Sequence, residues 1–392
     1  MTPAARVQAA IDLLDAIIAA ARDNGPPADR LLLEGFRQRR YAGSKDRRAI
    51  RDLVYAAIRA CGPVPASGRA AMLRLAETDA AIAALFDGSP YGPAAIAPGE
   101  QPAEGGLAPA WLEARLAASG VAGAEALALL SRAPLDIRVN TLKAERDTLE
   151  LPEAGEPLPV PQGLRFAHGT PVEQWDAYAQ GQIEVQDCGS QVACMALGAQ
   201  PGETVIDLCA GSGGKTLALA AAMDNRGVLV AADTDRNRLQ RLPPRAGRAG
   251  AANIESVLLN PGRELDGLER WHGGADAVLV DAPCSGTGTW RRNPEGRWRL
   301  GEGQLERYVA VQARLLDLAV ALVRPGGRIV FITCSLLDEE GRDQVDRFLA
   351  AHPDWHAVEP DLPLGLAHGP GIRLSPQRDG CDGFFIARIG RA

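Results

Sequence analysis

The stretch TVIDLCAGSGGKT (204–216) runs from an apolar strand-like segment into a Gly-rich turn and then into the helical TLALAAAM, and VLVAAD (228–233) follows it. The same alternation continues through IESVLL, ADAVLVD, a predicted helix over 303–323, RIVFITC, a predicted helix over 339–351 and FFIARI. Short apolar runs alternating with amphipathic ones predict an α/β unit, a mostly parallel sheet with helices on both faces. In such sheets functional groups gather beyond the carboxyl ends of the strands. The turn Cys209-Ala210-Gly211-Ser212-Gly213-Gly214-Lys215 permits close backbone approach and presents amides at a helix start. It is not a phosphate-binding P-loop, because that spacing needs glycine where Cys209 stands, and GxGxxG does not fit either. Asp233 ends the next strand, where a carboxylate accepts from ribose hydroxyls. Turn and aspartate together favour an adenosine-containing cofactor.

Two further turns close strand-like runs: Asp281-Ala282-Pro283-Cys284-Ser285 and Thr333-Cys334-Ser335. Most free cysteines are small buried hydrophobes, and Cys61, Cys188, Cys194 and Cys381 are read that way. Cys284 and Cys334 are different, since both sit in turns where packing gives sulfur no special advantage. A pair of thiols suits a reaction that makes and later breaks a covalent bond to an electrophilic ring. Cytosine C5 is such a case, because it is a poor nucleophile until a thiolate adds to C6. Asp281, in protonated form, is expected to contact the ring nitrogen.

The 392 residues allow two or three domains. No apolar run reaches a membrane span, and Asp12 and Asp15 make the first helix amphipathic and unlike a signal peptide. A cytoplasmic location is expected, with no membrane partner. Seven scattered cysteines without CxxC suggest neither disulfides nor zinc. His352 and His356 have a helical metal-ligand spacing, but Pro353 opposes the helix, so no metal is expected.

The net charge is −7, yet residues 1–60 hold 11 Lys/Arg against 7 Asp/Glu by count. They are concentrated in RQRRYAGSKDRRAIR (37–51), where Arg39, Arg40, Arg47 and Arg48 are expected to meet phosphate. A second cluster, Trp290, Arg291, Arg292, Arg297, Trp298 and Arg299, follows the Cys284 turn. Trp290, Arg291, Arg292 and Trp298 are candidates for stacking on unpaired bases. The expected domains are 1–106 (helical, with a linker), 107–180 (small α+β) and 181–392 (catalytic).

VQDCGSQ (185–191), DLCAGSGGKT (207–216), AADTDRNRL (231–239), DAPCSGTGTWRRNP (281–294), TCSLLDEE (333–340) and DGFF (382–385) together resemble the Sun/Nop RNA cytosine-C5 methyltransferases, most closely the bacterial Fmu/RsmB-like ribosomal RNA branch. The resemblance implies a Rossmann-like S-adenosyl-L-methionine-dependent methyltransferase domain. It also implies a small α+β RNA-binding subdomain and a shortened NusB-like helical domain. By it, Cys334 is the nucleophile, Cys284 assists release and Asp281 contacts the base. Cys209, Ala210, Gly211, Ser212, Gly213, Gly214, Lys215, Asp233 and Asp281 hold the cofactor. The implied partner is RNA, ribosomal first and transfer RNA as the alternative, bound by a monomer. A non-catalytic RNA-binding assembly factor is the rival reading. The chain departs from the family pattern at Ser212 (usually proline), at Asn260-Pro261 (usually Gly-Asp, an adenine contact) and at Pro243-Pro244, which interrupts the helix after Asp233 and is expected to weaken cofactor binding.

Overall fold

The computed structural model describes residues 1–392. The chain forms two compact units, Met1–Ser131 with Trp290–Gly301, and Arg132–Thr289 with Glu302–Ala392. Both boundaries differ from those expected at 106/107 and 180/181. The short helices Ala110–Ala118 and Gly123–Ala128 group with the N-terminal residues, and the strands that follow them group with the catalytic ones.

In the first unit four helices, Pro3–Arg22, Ala28–Gln38, Ser44–Ala60 and Gly68–Ala76, surround a core of Leu14, Ile17, Leu32, Ile50, Ile58 and Met72. Apolar residues three and four apart give each helix one inward face. Thr2 starts the first by accepting from the Ala5 amide at 3.2 Å, with Pro3 at the first helical position.

The basic–aromatic segment 290–301 is part of this core and not an RNA-facing surface. Trp290 is 1% exposed, Trp298 5% and Arg297 0%. Arg297 donates to the carbonyls of Ile58 (2.7 Å) and Cys61 (2.6 Å) at the end of helix Ser44–Ala60, and to that of Pro294 (2.7 Å) in its own segment. Trp298 donates to the Gly62 carbonyl at 3.2 Å, and Arg299 to that of Gly25 at 2.8 Å. At the opposite pole of a helix, Glu295 accepts from the Ala28 amide at 3.0 Å. Acid at a helix start and base at a helix end match the helix dipole. The expectation of stacking on RNA therefore fails for Trp290, Arg291 and Trp298, which are buried, while the fourth candidate, Arg292, is half-buried.

The second unit contains two sheets. Strands β1 (Leu135–Val139), β2 (Glu156–Pro157), β3 (Gly163–Phe166) and β4 (Ile183–Val185) make a small antiparallel sheet in the order β2-β3-β1-β4. The large sheet comprises β5 (Thr204–Asp207), β6 (Val228–Asp233), β7 (Ile254–Leu258), β8 (Ala275–Asp281), β9 (Val323–Thr333), β10 (Trp355–Val358), β11 (Leu366–His368), β12 (Gly371–Leu374) and β13 (Phe384–Arg391). Its order is β11-β12-β13-β9-β8-β5-β6-β7, with β10 beside β13. Strands β5 to β9 pair in parallel, and β13 runs antiparallel to β9 with Ile386 opposite Ile332. Val205, Ile206, Val278, Val280, Val330 and Phe331 are fully buried, as strands covered on both faces require. The sequence order reverses between β5 and β8, which places a switch-point crevice at their carboxyl ends.

Pro243 and Pro244 break the helix after Asp233, as expected. It stops at Leu239 and restarts at Leu242, with both prolines in the new first turn, where a missing amide costs no hydrogen bond. The helix expected from 339 begins at Arg342, after a 3-10 turn over Asp338–Glu340.

Candidate active site

Four strand ends converge on one crevice. Asp207 ends β5, Asp233 ends β6, Asp281 ends β8 and Cys334 follows β9. A cavity of about 470 Å³ opens there, lined by Cys209, Asp233, Asp281, Pro283, Cys284 and Cys334 among others. Its volume lies within the roughly 300–1,000 Å³ of small-molecule sites.

The Gly-rich turn forms one wall. The Gly211 amide donates to Asp233 Oδ2 at 2.7 Å, tying the turn to the neighbouring strand end. Gly211 (φ +54°) and Gly213 (φ +84°) occupy the left-handed region, so glycine is required at both. Thr216 donates from Oγ1 to Asp207 Oδ2 at 2.7 Å, while Asp207 Oδ1 is buried without a partner. Burial pushes the Asp207 carboxyl up to about 7.

Lys215 reaches across the crevice, its Nζ 2.7 Å from Asp281 Oδ2. Burial opposes its charge, but the Asp281 carboxylate together with other nearby acidic groups holds the ammonium above its ordinary range. Asp281, expected to contact the base in protonated form, accepts from Lys215 in an ion pair. Lys215 also lies over the Phe384 ring at 5.6 Å.

The two thiols meet, Cys284 Sγ standing 3.4 Å from Cys334 Sγ. Its hydrogen bond with Cys334, burial and the nearby Glu340 carboxylate push the Cys284 thiol far up. A third turn locks this arrangement: the Gly288 amide donates to the Cys334 carbonyl at 3.0 Å and the Gly383 amide to that of Gly288 at 2.8 Å. A Cβ on Gly288 would lie 2.1 Å from the Gly383 carbonyl oxygen, so this approach admits only glycine.

The residues expected to hold a cofactor occupy two tiers. Cys209, Asp233 and Asp281 line the cavity, whereas Ala210–Lys215 shape its wall and anchor the carboxylates. Sequence reading missed Asp235, Arg238, Glu264 and Arg314, which also line it. Glu264 is buried and paired with Arg314, four residues after the start of the Asn260-Pro261 departure. The carboxylates of Asp233, Asp235, Glu264 and Asp281 would repel a triphosphate and suit a ligand carrying hydroxyls and positive charge.

Residues 194–390, half the chain, match the family model described as 16S rRNA methyltransferase RsmB/F. The chain is 33% identical over 310 residues to the ribosomal RNA small subunit methyltransferase B of Sodalis glossinidius, covering 76% of this chain and 69% of that protein. It is 35% identical over 275 residues to the probable ribosomal RNA small subunit methyltransferase B of Synechocystis sp., covering 66% of this chain and 60% of that protein. The chain belongs to the RsmB/F methyltransferase family. The crystal structure of PH0851 superposes at a TM-score of 0.75 with 26% identity over 99% of both chains. That of a methyltransferase homolog protein from Pyrococcus horikoshii superposes at 0.61 with 26% identity, covering 72% of this chain and 99% of that one. The cofactor of an RsmB/F methyltransferase is S-adenosylmethionine, and the acidic, part-apolar cavity fits its hydroxyls and cationic centres.

Proposed function

We propose that the chain methylates C5 of a cytosine in small-subunit ribosomal RNA through a covalent adduct at C6. The observation that carries this reading is the Cys284–Cys334 pair, 3.4 Å apart on the wall of the cavity that also holds Asp233 and Asp281. A simple methyl transfer to nitrogen or oxygen has no use for two thiols.

The target base is unpaired or flipped to reach the crevice. Cys334 attacks C6 as a thiolate, with Cys284, its sulfur 3.4 Å away, acting as hydrogen-bond donor to it, and Lys215 donates to the base where charge builds. Cys209, Asp233 and Asp281 would hold S-adenosylmethionine, which would supply the methyl group for C5 when bound. The C5 proton then leaves to solvent, the C6–S bond breaks and Cys334 departs as a thiolate. The Cys284 S–H hydrogen bond stabilises that leaving group.

The thiol roles separate on a denaturing gel with labelled RNA and cofactor. Cys334→Ala is expected to abolish both methylation and adduct. Cys284→Ala is expected to permit transfer and stall release, leaving protein joined to RNA. Trapping by the Cys334 variant alone would place the nucleophile at Cys284, and full activity of both variants would eliminate the covalent route.

A further inference from the structure

Behind the two cysteine turns lies a buried polar network in which no step above has a part. Glu340, 0% exposed, is its centre. Its Oε1 accepts from the Ser285 amide at 2.9 Å and from Gln312 Nε2 at 3.0 Å, and its Oε2 accepts from the Ser285 hydroxyl. Gln312 is fixed in turn by Gln344, whose Nε2 donates to Gln312 Oε1 at 3.0 Å. Ser285 Oγ is 3.1 Å from Ser335 Oγ, which is 3.1 Å from Thr287 Oγ1. Ser335 accepts from the Leu337 amide and Thr287 from the Leu336 amide. Each cysteine is thus followed by a serine belonging to one network, and the carboxylate joins the Cys284 turn to the segment that follows Cys334.

Every one of these partners donates to Glu340, and all are neutral. Burial pushes the Glu340 carboxyl up, and the hydroxyl, amide and Gln312 donors oppose that rise. A carboxylate buried without a cation is costly, so a neutral glutamine would be the cheaper residue if the network served packing alone. What the charge does is set by its position. Glu340 grips the residue next to Cys284, whereas the cation of the crevice, Lys215, stands at Asp281. The ionisable groups acting on Cys284 include Cys334 and Glu340; those around Lys215 include Asp281, Asp207, Cys194 and Cys334. Negative charge at Glu340 disfavours a Cys284 thiolate, and the Lys215 ammonium lies at the Asp281 end of the crevice. Two chemically identical side chains are made unequal by what lies on either side of them.

We propose that Glu340 is a positioning residue which ties the two cysteine turns together and, through its charge, keeps Cys284 as the protonated partner so that Cys334 is the thiol that ionises. The proposal rests on the assignment of both thiols to the reaction, but its test needs neither RNA nor cofactor. The intact protein is alkylated with iodoacetamide between about pH 6.5 and 9.5, and the modified Cys284 and Cys334 peptides are quantified by mass spectrometry. In the wild type Cys334 is expected to react first, with Cys284 requiring higher pH. In Glu340→Gln the ratio of the two rates should fall by about tenfold, the effect of one pKa unit on thiolate fraction. Ser285→Ala removes a donor but keeps the charge, and it should preserve the wild-type ratio. A folded Glu340→Gln protein with an unchanged ratio overturns the proposal, as does a Ser285→Ala protein that loses it. If Glu340→Gln does not fold, the wild-type profile decides: Cys284 reacting at lower pH than Cys334 is incompatible with the assignment. Inequality of the thiols in a protein that fails to methylate RNA would leave this inference standing while removing the function it rests on.

Discussion

Two stretches of this chain are nearly alike in composition and opposite in fate. RQRRYAGSKDRR (37–48) and WRRNPEGRWR (290–299) are both short, rich in arginine and punctuated by aromatic residues. In the first, Arg37, Arg40, Lys45 and Arg48 are exposed and Tyr41 is 71% exposed. In the second, Arg297 and two tryptophans are core. The difference lies in what each guanidinium finds. Arg297 meets three carbonyl oxygens, two of them at the end of a helix, and those bonds replace water on both terminal nitrogens of its planar fork. Burial lowers Arg297 to about 10, which still leaves it charged at neutral pH. A basic cluster is thus evidence about available acceptors as much as about nucleic acid.

The largest effect that would break this contrast is at Arg297. Replacement by methionine should destabilise the protein by about 3 kcal/mol, because buried carbonyls are left without their charged donor. Thermal melts check this, with Arg297→Lys falling between, as a single ammonium cannot reproduce the fork.

The exposed cluster should respond in the opposite way. Neutralising Arg37, Arg40, Lys45 and Arg48 should leave stability within about 0.5 kcal/mol and weaken RNA binding. The slope of log affinity against log salt should shrink by roughly 0.7 for each phosphate that the variant no longer neutralises. Titrations between about 50 and 200 mM salt measure it. An unchanged slope would show that this face does not meet RNA. Arg39 and Arg47 are poorer choices, being engaged by Asp12 at 3.0 Å and by the Ala42 carbonyl at 2.8 Å.

Asp207 sharpens the same point for an acid. One of its oxygens has no partner, and the carboxyl is pushed up to about 7. The folded state therefore holds a proton that the unfolded state has released between about pH 4 and 7. Stability from this group is full below the ordinary carboxylate range and declines as pH rises through about 7. Asp207→Asn should flatten that decline, raising the melting temperature at about pH 8.5 relative to about pH 5.5 by roughly 2–4 °C.

Much of the catalytic unit is legible in the sequence because its signals are local. Alternating apolar runs, a Gly-rich turn and two Cys-Ser turns each report on a few consecutive residues, and the strand ends bring them together without further information. Asp281 can be found by its position at a strand end but not assigned its state, since Lys215, its partner, lies 66 residues away in sequence. Glu340 is invisible as anything but part of TCSLLDEE, because only the 3-10 turn at 338–340 aims it inward. The prolines at 243 and 244 read as a disruption and are accommodated as a helix start. Segment 290–301 misleads for the plainest reason. Two of the three carbonyls that Arg297 meets are supplied by residues more than 230 positions earlier.

The order in which these partners are made bears on synthesis. A ribosome releases Met1–Ser131 long before it reaches Trp298, with all of residues 132–289 to be translated between them. At roughly 5–20 residues per second the interval is about 10–30 s. Throughout it the nascent helical unit carries an unfilled seam where the tryptophans and Arg297 belong. The unit that begins with Met1–Ser131 is completed only after the Cys284 turn has left the peptidyl-transferase centre, so its maturation is timed by the translation of the catalytic unit.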